Sequence, residues 1–266
     1  MIVKNYKKNF HQEGFIVIKN FYKSTFVKKI IDSLKNHFDF IKIKYPQYNK
    51  KEYTFDNPRN ESLIKLFYDS VKMLPATIEM LSFEKKLKLV KKLYDSKHFG
   101  FLRNAYGYRL DYPRRSKFLT QLHQDYHANL GSPDGLVFYT PLTDVLNIAS
   151  GPVVVFPKSH LGGVRKIKIK KSYDVSTGYI IEKEEDEILK YKAKNLFMET
   201  GDLAIFDFRL LHKSSFNKSS KVRISFISRF FLFDNKLSIK NKFAGGLQEG
   251  NYFEKFHPEL IVANNK

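Results

Sequence analysis

Near residue 100 the hydrophobic period of this chain changes from that of helices to that of short strands, and few architectures accommodate both halves. Upstream, Phe26, Val27, Ile30, Ile31, Leu34, Phe38 and Ile41 mark one face of a helix from Ser24 to about Lys44, with Ser24 as its N-cap and Pro46 ending it. Similar intervals predict helices over about 61–73 and 75–93. In this half only Phe15–Lys19, after Gly14, reads as a strand. Downstream, short apolar or alternating runs follow one another between turn signals, at 99–110, 119–123, 135–142, 152–156, 163–170, 196–199, 202–207 and 222–232. The charged stretch 182–195 reads as a helix or a surface insertion. Many short strands with regular turns predict a mainly β fold, a barrel or jelly roll, with the helices packed on one sheet. No linker or repeat separates the halves. One domain over 1–266 is therefore expected: a mainly helical cover at 1–98, a β core at 99–235 with an insertion near 164–195, and a tail at 236–266.

Composition narrows the chemistry. There is no cysteine, which removes thiolate nucleophiles, thiolate zinc sites and iron–sulfur clusters, so any metal must sit on histidines and carboxylates. The formal net charge is +20. Such a charge fits an anionic partner, but the lysines are scattered rather than gathered in a stripe, and no nucleic-acid-binding signature is present, so a nucleic-acid partner is not expected. No apolar run approaches the length of a membrane helix, and the first residues lack the pattern of a signal peptide. A cytoplasmic protein is the expectation, with its oligomeric state open.

The pattern with chemical content is His123-Gln124-Asp125 followed far downstream by His212. In a strand, residues two apart point to one side, so the imidazole and the carboxylate can converge on one ion at a strand end. His212, just past the strand at 202–207, can supply the third ligand. Two histidines and one carboxylate on one face leave open positions for a chelating co-substrate and O₂, the arrangement of non-haem Fe(II) oxygenases. Taken singly, each histidine is as readily a satisfied core or surface residue. Arg223 follows His212 by eleven residues and opens the strand VRISF, with Ser225 on the same side. A guanidinium fork and a neighbouring hydroxyl suit a carboxylate. His127 and His160, the arginines at 103, 109, 114 and 115, and the tyrosines at 106, 108, 126 and 139 are secondary candidates. His127 is read at the pocket mouth and outside any helix, His160 as structural, and the tyrosines mainly as core.

Several motifs in order carry a resemblance to a family. EGFIVIKNFYKSTFVKKIIDSL, LHQDYH, GLVFYTPLTDV, SGPVVVFPKSHLGG, GDLAIFDFRLLHKSSFN and VRISF together resemble the phytanoyl-CoA dioxygenase family of Fe(II)- and 2-oxoglutarate-dependent oxygenases. The poorest match is at about 164–195. The resemblance implies a double-stranded β-helix, cupin-like core. It implies that His123, Asp125 and His212 hold Fe(II), that Arg223 with Ser225 binds the far carboxylate of 2-oxoglutarate, and that Gln124 helps to hold this co-substrate. It further implies oxidative decarboxylation of 2-oxoglutarate with O₂, coupled to oxidation of a substrate C–H bond. Relatives that halogenate lack the carboxylate ligand; the presence of Asp125 favours hydroxylation. The substrate expected is a small molecule, with an anionic one among the options. A sugar or nucleotide-linked natural-product intermediate comes first, an acyl-CoA or an amino acid next. The alternative from another class is a non-catalytic jelly roll that binds glycan or nucleic acid.

Overall fold

The computed structural model describes residues 2–115, 119–169, 179–246 and 252–262. It opens on α1 (Ile2–Glu13), an element the spacing rules do not assign. The signal is thin: among the described side chains of this helix, Tyr6 and Phe10, one turn apart, pack into the core, and lysines stand next to them in the sequence. Gly14 ends the helix with φ +79°, where a Cβ would lie 2.5 Å from His160 Nδ1. β1 (Phe15–Ile18) follows, then α2 (Ser24–Lys44), which buries Val27, Ile30, Leu34, Phe38 and Ile41. The cap position of α2 falls on Lys23, and Ser24 is already helical. α3 (Glu61–Val71) is capped by Asn60, whose Oδ1 accepts from Leu63 N at 2.9 Å. The single helix expected over 75–93 is two, α4 (Pro75–Leu81) and α5 (Glu84–Tyr94). At the break Phe83 is non-helical and packs against Tyr22 and Phe26, with ring centroids 4.9 and 5.0 Å away.

The second half holds β2 (Phe99–Phe101), β3 (Gly107–Asp111), α6 (Asp125–Asn129), β4 (Leu136–Pro141), β5 (Val153–Val155), β6 (Ile167–Ile169) and β7 (Tyr179–Ile181). It continues with α7 (Glu184–Leu189), β8 (Lys194–Leu196), β9 (Leu203–Asp207), β10 (His212–Ser214), β11 (Arg223–Leu232), α8 (Lys236–Lys240) and α9 (Tyr252–Phe256). Residue 170 of the expected 163–170 run, and 171–178 of the expected insertion, lie outside the described residues. The expected mainly β character is not what the structure has. Most strands are short, so helix exceeds strand among the described residues and the fold is mixed α/β with antiparallel sheets.

Six strands form one sheet in the order β1-β9-β4-β11-β2, with β3 also on β11, and β10-β5-β8 form a second. Strand period then decides what faces what. On β11, Ile224, Phe226 and Phe230 enter the core shared with α2–α5, while Arg223, Ile227 and Arg229 point the other way into a cavity. β4 repeats the alternation, with Leu136 and Phe138 toward the helices and Val137 and Tyr139 toward the cavity. Among the described residues no helix is long and apolar enough to cross a membrane.

The helical layer is fastened to β11 by Lys86 of α5, which is 1% exposed. Its Nζ donates to Met80 O at 2.6 Å and to Ser228 Oγ at 3.3 Å, and lies over the Phe226 and Phe230 rings. Burial pushes this ammonium down to about 7 from 10.5. Between those values the unfolded chain holds a proton that the folded chain has released, so this group makes folding stability rise with pH. Urea unfolding near pH 7.5 and near pH 9.5 will show wild type gaining on the order of 1–2 kcal/mol relative to Lys86→Met across the interval. Parallel pH profiles for the two proteins would contradict this.

Candidate metal centre

Two backbone hydrogen bonds assemble the site. His123 N donates to His212 O at 3.0 Å, and His212 N donates to His123 O at 3.1 Å, an isolated antiparallel bridge. Ser214 N adds a bond to Thr120 O at 3.0 Å. The expected strand at 119–123 is thus an irregular segment lying along β10, not a regular ladder. His212 opens β10 rather than trailing the strand before it. Past the bridge the chain turns at once into α6, contrary to the expectation that no helix forms around His127. Asn129 closes that turn, its Nδ2 donating to Asp125 O at 2.7 Å and Oδ1 at 3.1 Å. His123 and Asp125 therefore converge as a bridge residue and the first residue of a helix, not as alternate residues of one strand.

Ligand-capable atoms of His123, Asp125 and His212 all lie within 4.8 Å of one another, and all three residues are buried. The imidazoles are oriented by their own backbones: His123 Nδ1 contacts Gln121 O at 2.9 Å and His212 Nδ1 contacts Leu210 O at 2.9 Å. A carbonyl only accepts, so each Nδ1 carries a proton and each Nε2 is turned inward. Burial, with His212 beside it, pushes His123 down to about 3, which keeps the ring neutral.

Asp125 is held asymmetrically. Burial opposes its ionisation, but the Arg229 guanidinium and the adjoining His212 hold it well below the usual carboxylate range. Arg229 Nε donates to Oδ1 at 2.6 Å, and Asn129 shares that oxygen. Oδ2 is buried with no hydrogen-bond partner among the described residues, 3.2 Å from His212 Nε2. Both of these atoms can ligate a metal, and both are turned into the same space. A buried carboxylate oxygen without a donor is costly unless a cation lies beside it. The donor set and its geometry fit a metal ion.

The three residues line a cavity of ≈ 100 Å³ between the two sheets. A wider groove of ≈ 660 Å³ beside Phe101, Phe233 and Phe243 contains none of them, so volume alone does not mark the chemistry. Arg223 lines the cavity, 4% exposed, opposite Asp111 in the β3–β11 register. Its Nε and Nη2 donate to Asp111 Oδ2 at 3.1 and 2.7 Å, while Nη1 is buried without a hydrogen-bond partner among the described residues. Arg109 shares the Asp111 carboxylate through Nε at 2.9 Å and donates from Nη1 to Thr120 Oγ1. Ser225, fully buried, is on the same side of β11 as Arg223, and Tyr139 lines the cavity.

Other candidates go elsewhere. Gln124 points away from the cavity: its Nε2 donates to Gly163 O and Arg209 O at 2.9 and 2.6 Å, and its Oε1 accepts from Arg165 N at 2.8 Å. Gln124 is extended (φ −114°, ψ 138°) and precedes α6, so its side chain leaves opposite to that of His123. His127 is buried against Tyr179 and Phe253 with Nε2 2.7 Å from Arg165 O, so it does not line the cavity. His160 has the structural position expected, its Nε2 3.0 Å from His11 O. The sequence reading passes over Arg229, Asp111 and Asn129. Only for Arg229 was a signal available, because it is six residues beyond Arg223 on one strand and so on the same face.

Residues 10–225 match the family model of phytanoyl-CoA dioxygenase (PhyH). The chain belongs to this family. Among curated proteins none matches the chain in sequence. Solved structures share the PhyH-like fold at low identity. The epimerase SnoN, in complex with Fe3+, alpha ketoglutarate and nogalamycin RO, is 11% identical with a TM-score of 0.62, covering 86% of this chain and 83% of its own. EctD from S. alaskensis, in its apoform, is 14% identical with a TM-score of 0.61 and coverages of 87% and 77%. EvdO2 from Micromonospora carbonacea var. aurantiaca, complexed with 2-oxoglutarate, is 15% identical with a TM-score of 0.55 and coverages of 92% and 93%.

The outward Gln124 makes a prediction about this PhyH-family site. Gln124→Met removes three hydrogen bonds to backbone and leaves the cavity lining intact. It will lower unfolding stability by about 1–3 kcal/mol. The 2-oxoglutarate Kd, read by calorimetry, will stay within about twofold, well under 1 kcal/mol. A Kd weakened tenfold with stability unchanged would mean that Gln124 reaches the co-substrate.

Proposed function

We propose that the protein is an Fe(II)- and 2-oxoglutarate-dependent dioxygenase that hydroxylates a small molecule. His123, Asp125 and His212 hold the metal, and Arg223, Ser225 and Tyr139 receive the far carboxylate of 2-oxoglutarate. In this reading the two stacked sheets are the halves of a double-stranded β-helix, and the chain works as one oxygenase domain. The observation that carries it is Asp125 Oδ2, buried without a hydrogen-bond partner among the described residues and within ligand distance of His123 and His212, in a cavity that also holds Arg223. A glycan- or nucleic-acid-binding module has no use for that arrangement.

When bound, Fe(II) supplies the redox chemistry that couples O₂ reduction and decarboxylation of 2-oxoglutarate to oxidation of a substrate C–H bond. The protein's own groups set the geometry. Asp111 occupies two of the Arg223 donors and fixes the plane of the guanidinium. The remaining donor, Nη1, together with the Ser225 and Tyr139 hydroxyls, is the set open to the co-substrate carboxylate. Val137, Val153 and Phe206 give the cavity apolar walls that limit water.

The cavity admits little beyond the co-substrate, so the molecule to be oxidised approaches from its rim. Arg109 and Lys213 line the cavity beside Arg223 and Arg229, against the carboxylates of Asp111 and Asp125. A dianionic co-substrate and a divalent ion balance each other, which leaves the site cationic and favours a substrate with an anionic group. A sugar or nucleotide-linked natural-product intermediate fits this first, an acyl-CoA or an amino acid next. That SnoN is complexed with nogalamycin RO supports the natural-product class.

Anaerobic addition of Fe(II) and 2-oxoglutarate will produce a weak visible absorption band that His212→Ala lacks. Arg223→Leu will bind Fe(II) as wild type does but weaken 2-oxoglutarate by about 10–100-fold, the loss of a charged hydrogen bond. A band unchanged in His212→Ala, or no band in wild type, would contradict the assignment. Succinate release across a panel of anionic sugars, nucleotides, acyl-CoAs and amino acids then identifies the substrate.

A further inference from the structure

We infer that Arg229 is a positioning residue: it fixes which oxygen of Asp125 faces the metal and keeps that carboxylate a one-oxygen ligand. The inference rests on the metal reading above. A carboxylate has two equivalent oxygens and rotates freely about its last bond, so a carboxylate beside a metal can bind through either oxygen or both. In this chain the two oxygens are made unequal. Oδ1 accepts from Arg229 Nε at 2.6 Å and from Asn129 Nδ2 at 3.1 Å; Oδ2 has no hydrogen-bond partner among the described residues. Asp125 is 1% exposed, so no bulk water competes for either oxygen.

Arg229 is itself held. Its Nη1 donates to Ala105 O at 3.2 Å, and its side chain is 17% exposed. The fork therefore meets Asp125 from a fixed direction, set by β11 on one side and the loop between β2 and β3 on the other. A guanidinium is suited to this because its donors are fixed in one plane, whereas an ammonium is a point charge on a flexible stem. Arg229 also supplies the fixed counter-charge for this buried carboxylate. Without it, Asp125 can rotate, lose its preference for Oδ2, or chelate through both oxygens. Chelation would close a position that the co-substrate or O₂ needs. β11 thus delivers both a donor for the co-substrate, Arg223, and the clamp on the metal-binding carboxylate, Arg229, on one face.

The test uses Co(II) as a redox-silent probe on the full chain, with Arg229→Gln and Arg229→Lys beside wild type. Asn60→Ala, which removes the cap of α3 away from the cavity, controls for lost stability. Co(II) Kd will weaken by about 10–100-fold in Arg229→Gln. Its visible Co(II) spectrum will change in intensity as coordination changes. Arg229→Lys will recover part of the affinity but not the wild-type spectrum. Asn60→Ala will melt earlier with Kd and spectrum unchanged. Should Arg229→Gln fail to fold, Arg229→Lys carries the test through the spectrum. An Arg229 variant that melts earlier yet keeps the wild-type Kd and spectrum would overturn the inference and leave the metal site standing. A wild type that binds no Co(II) would overturn both.

Discussion

The reciprocal backbone bonds between His123 and His212 are the constraint on which the rest of the site depends. They tie an irregular segment to the first residue of β10 across most of the second half of the chain. Because this pair is an antiparallel bridge, the two side chains emerge on the same side, with ring centroids 4.1 Å apart. Everything else fits around that contact. α6 starts immediately after it and swings Asp125 back toward the rings, and the six-stranded sheet supplies the opposite wall.

The electrostatics follow the same economy. An isolated buried charge is costly, and each one here has a partner. Asp125 meets Arg229 at 2.6 Å and Arg223 meets Asp111 at 2.7 Å. Pairing is incomplete in a patterned way. Among the buried atoms without a partner in the described residues, Asp125 Oδ2 belongs to a cavity-lining acceptor, and Arg223 Nη1 and Ser225 Oγ are donors on one face of β11. Fully satisfied networks rigidify a core; these are unsatisfied where a cation and an anion would bind.

How legible this was depends on the range of the signal. Local periodicity placed α2 and most strands, because burial of one face repeats at fixed spacing, as Val27, Ile30 and Leu34 do. It missed α1, whose lysines interrupt the apolar spacing, and it fused α4 with α5, where Phe83 at the break packs on Tyr22 and Phe26 from a distant part of the chain. In the site, His123, Asp125, His212, Arg223 and Ser225 stand in motifs of local order, and all but Ser225 line the cavity. Residue type alone did not tell which way a side chain points. Gln124 lies between two inward-facing residues and faces out. Asp111 and Asn129 act through cross-strand register and helix geometry, which single-sequence spacing does not encode.

The central claim is that side chains from two distant segments share one ion. Anomalous diffraction from crystals grown anaerobically with Mn(II) or Fe(II) tests it most directly. The account predicts one strong peak per chain, within bonding distance of His123 Nε2, His212 Nε2 and Asp125 Oδ2, with Asp125 Oδ1 still on Arg229. A peak elsewhere, or one bonded to a single histidine with Asp125 turned away, would contradict it.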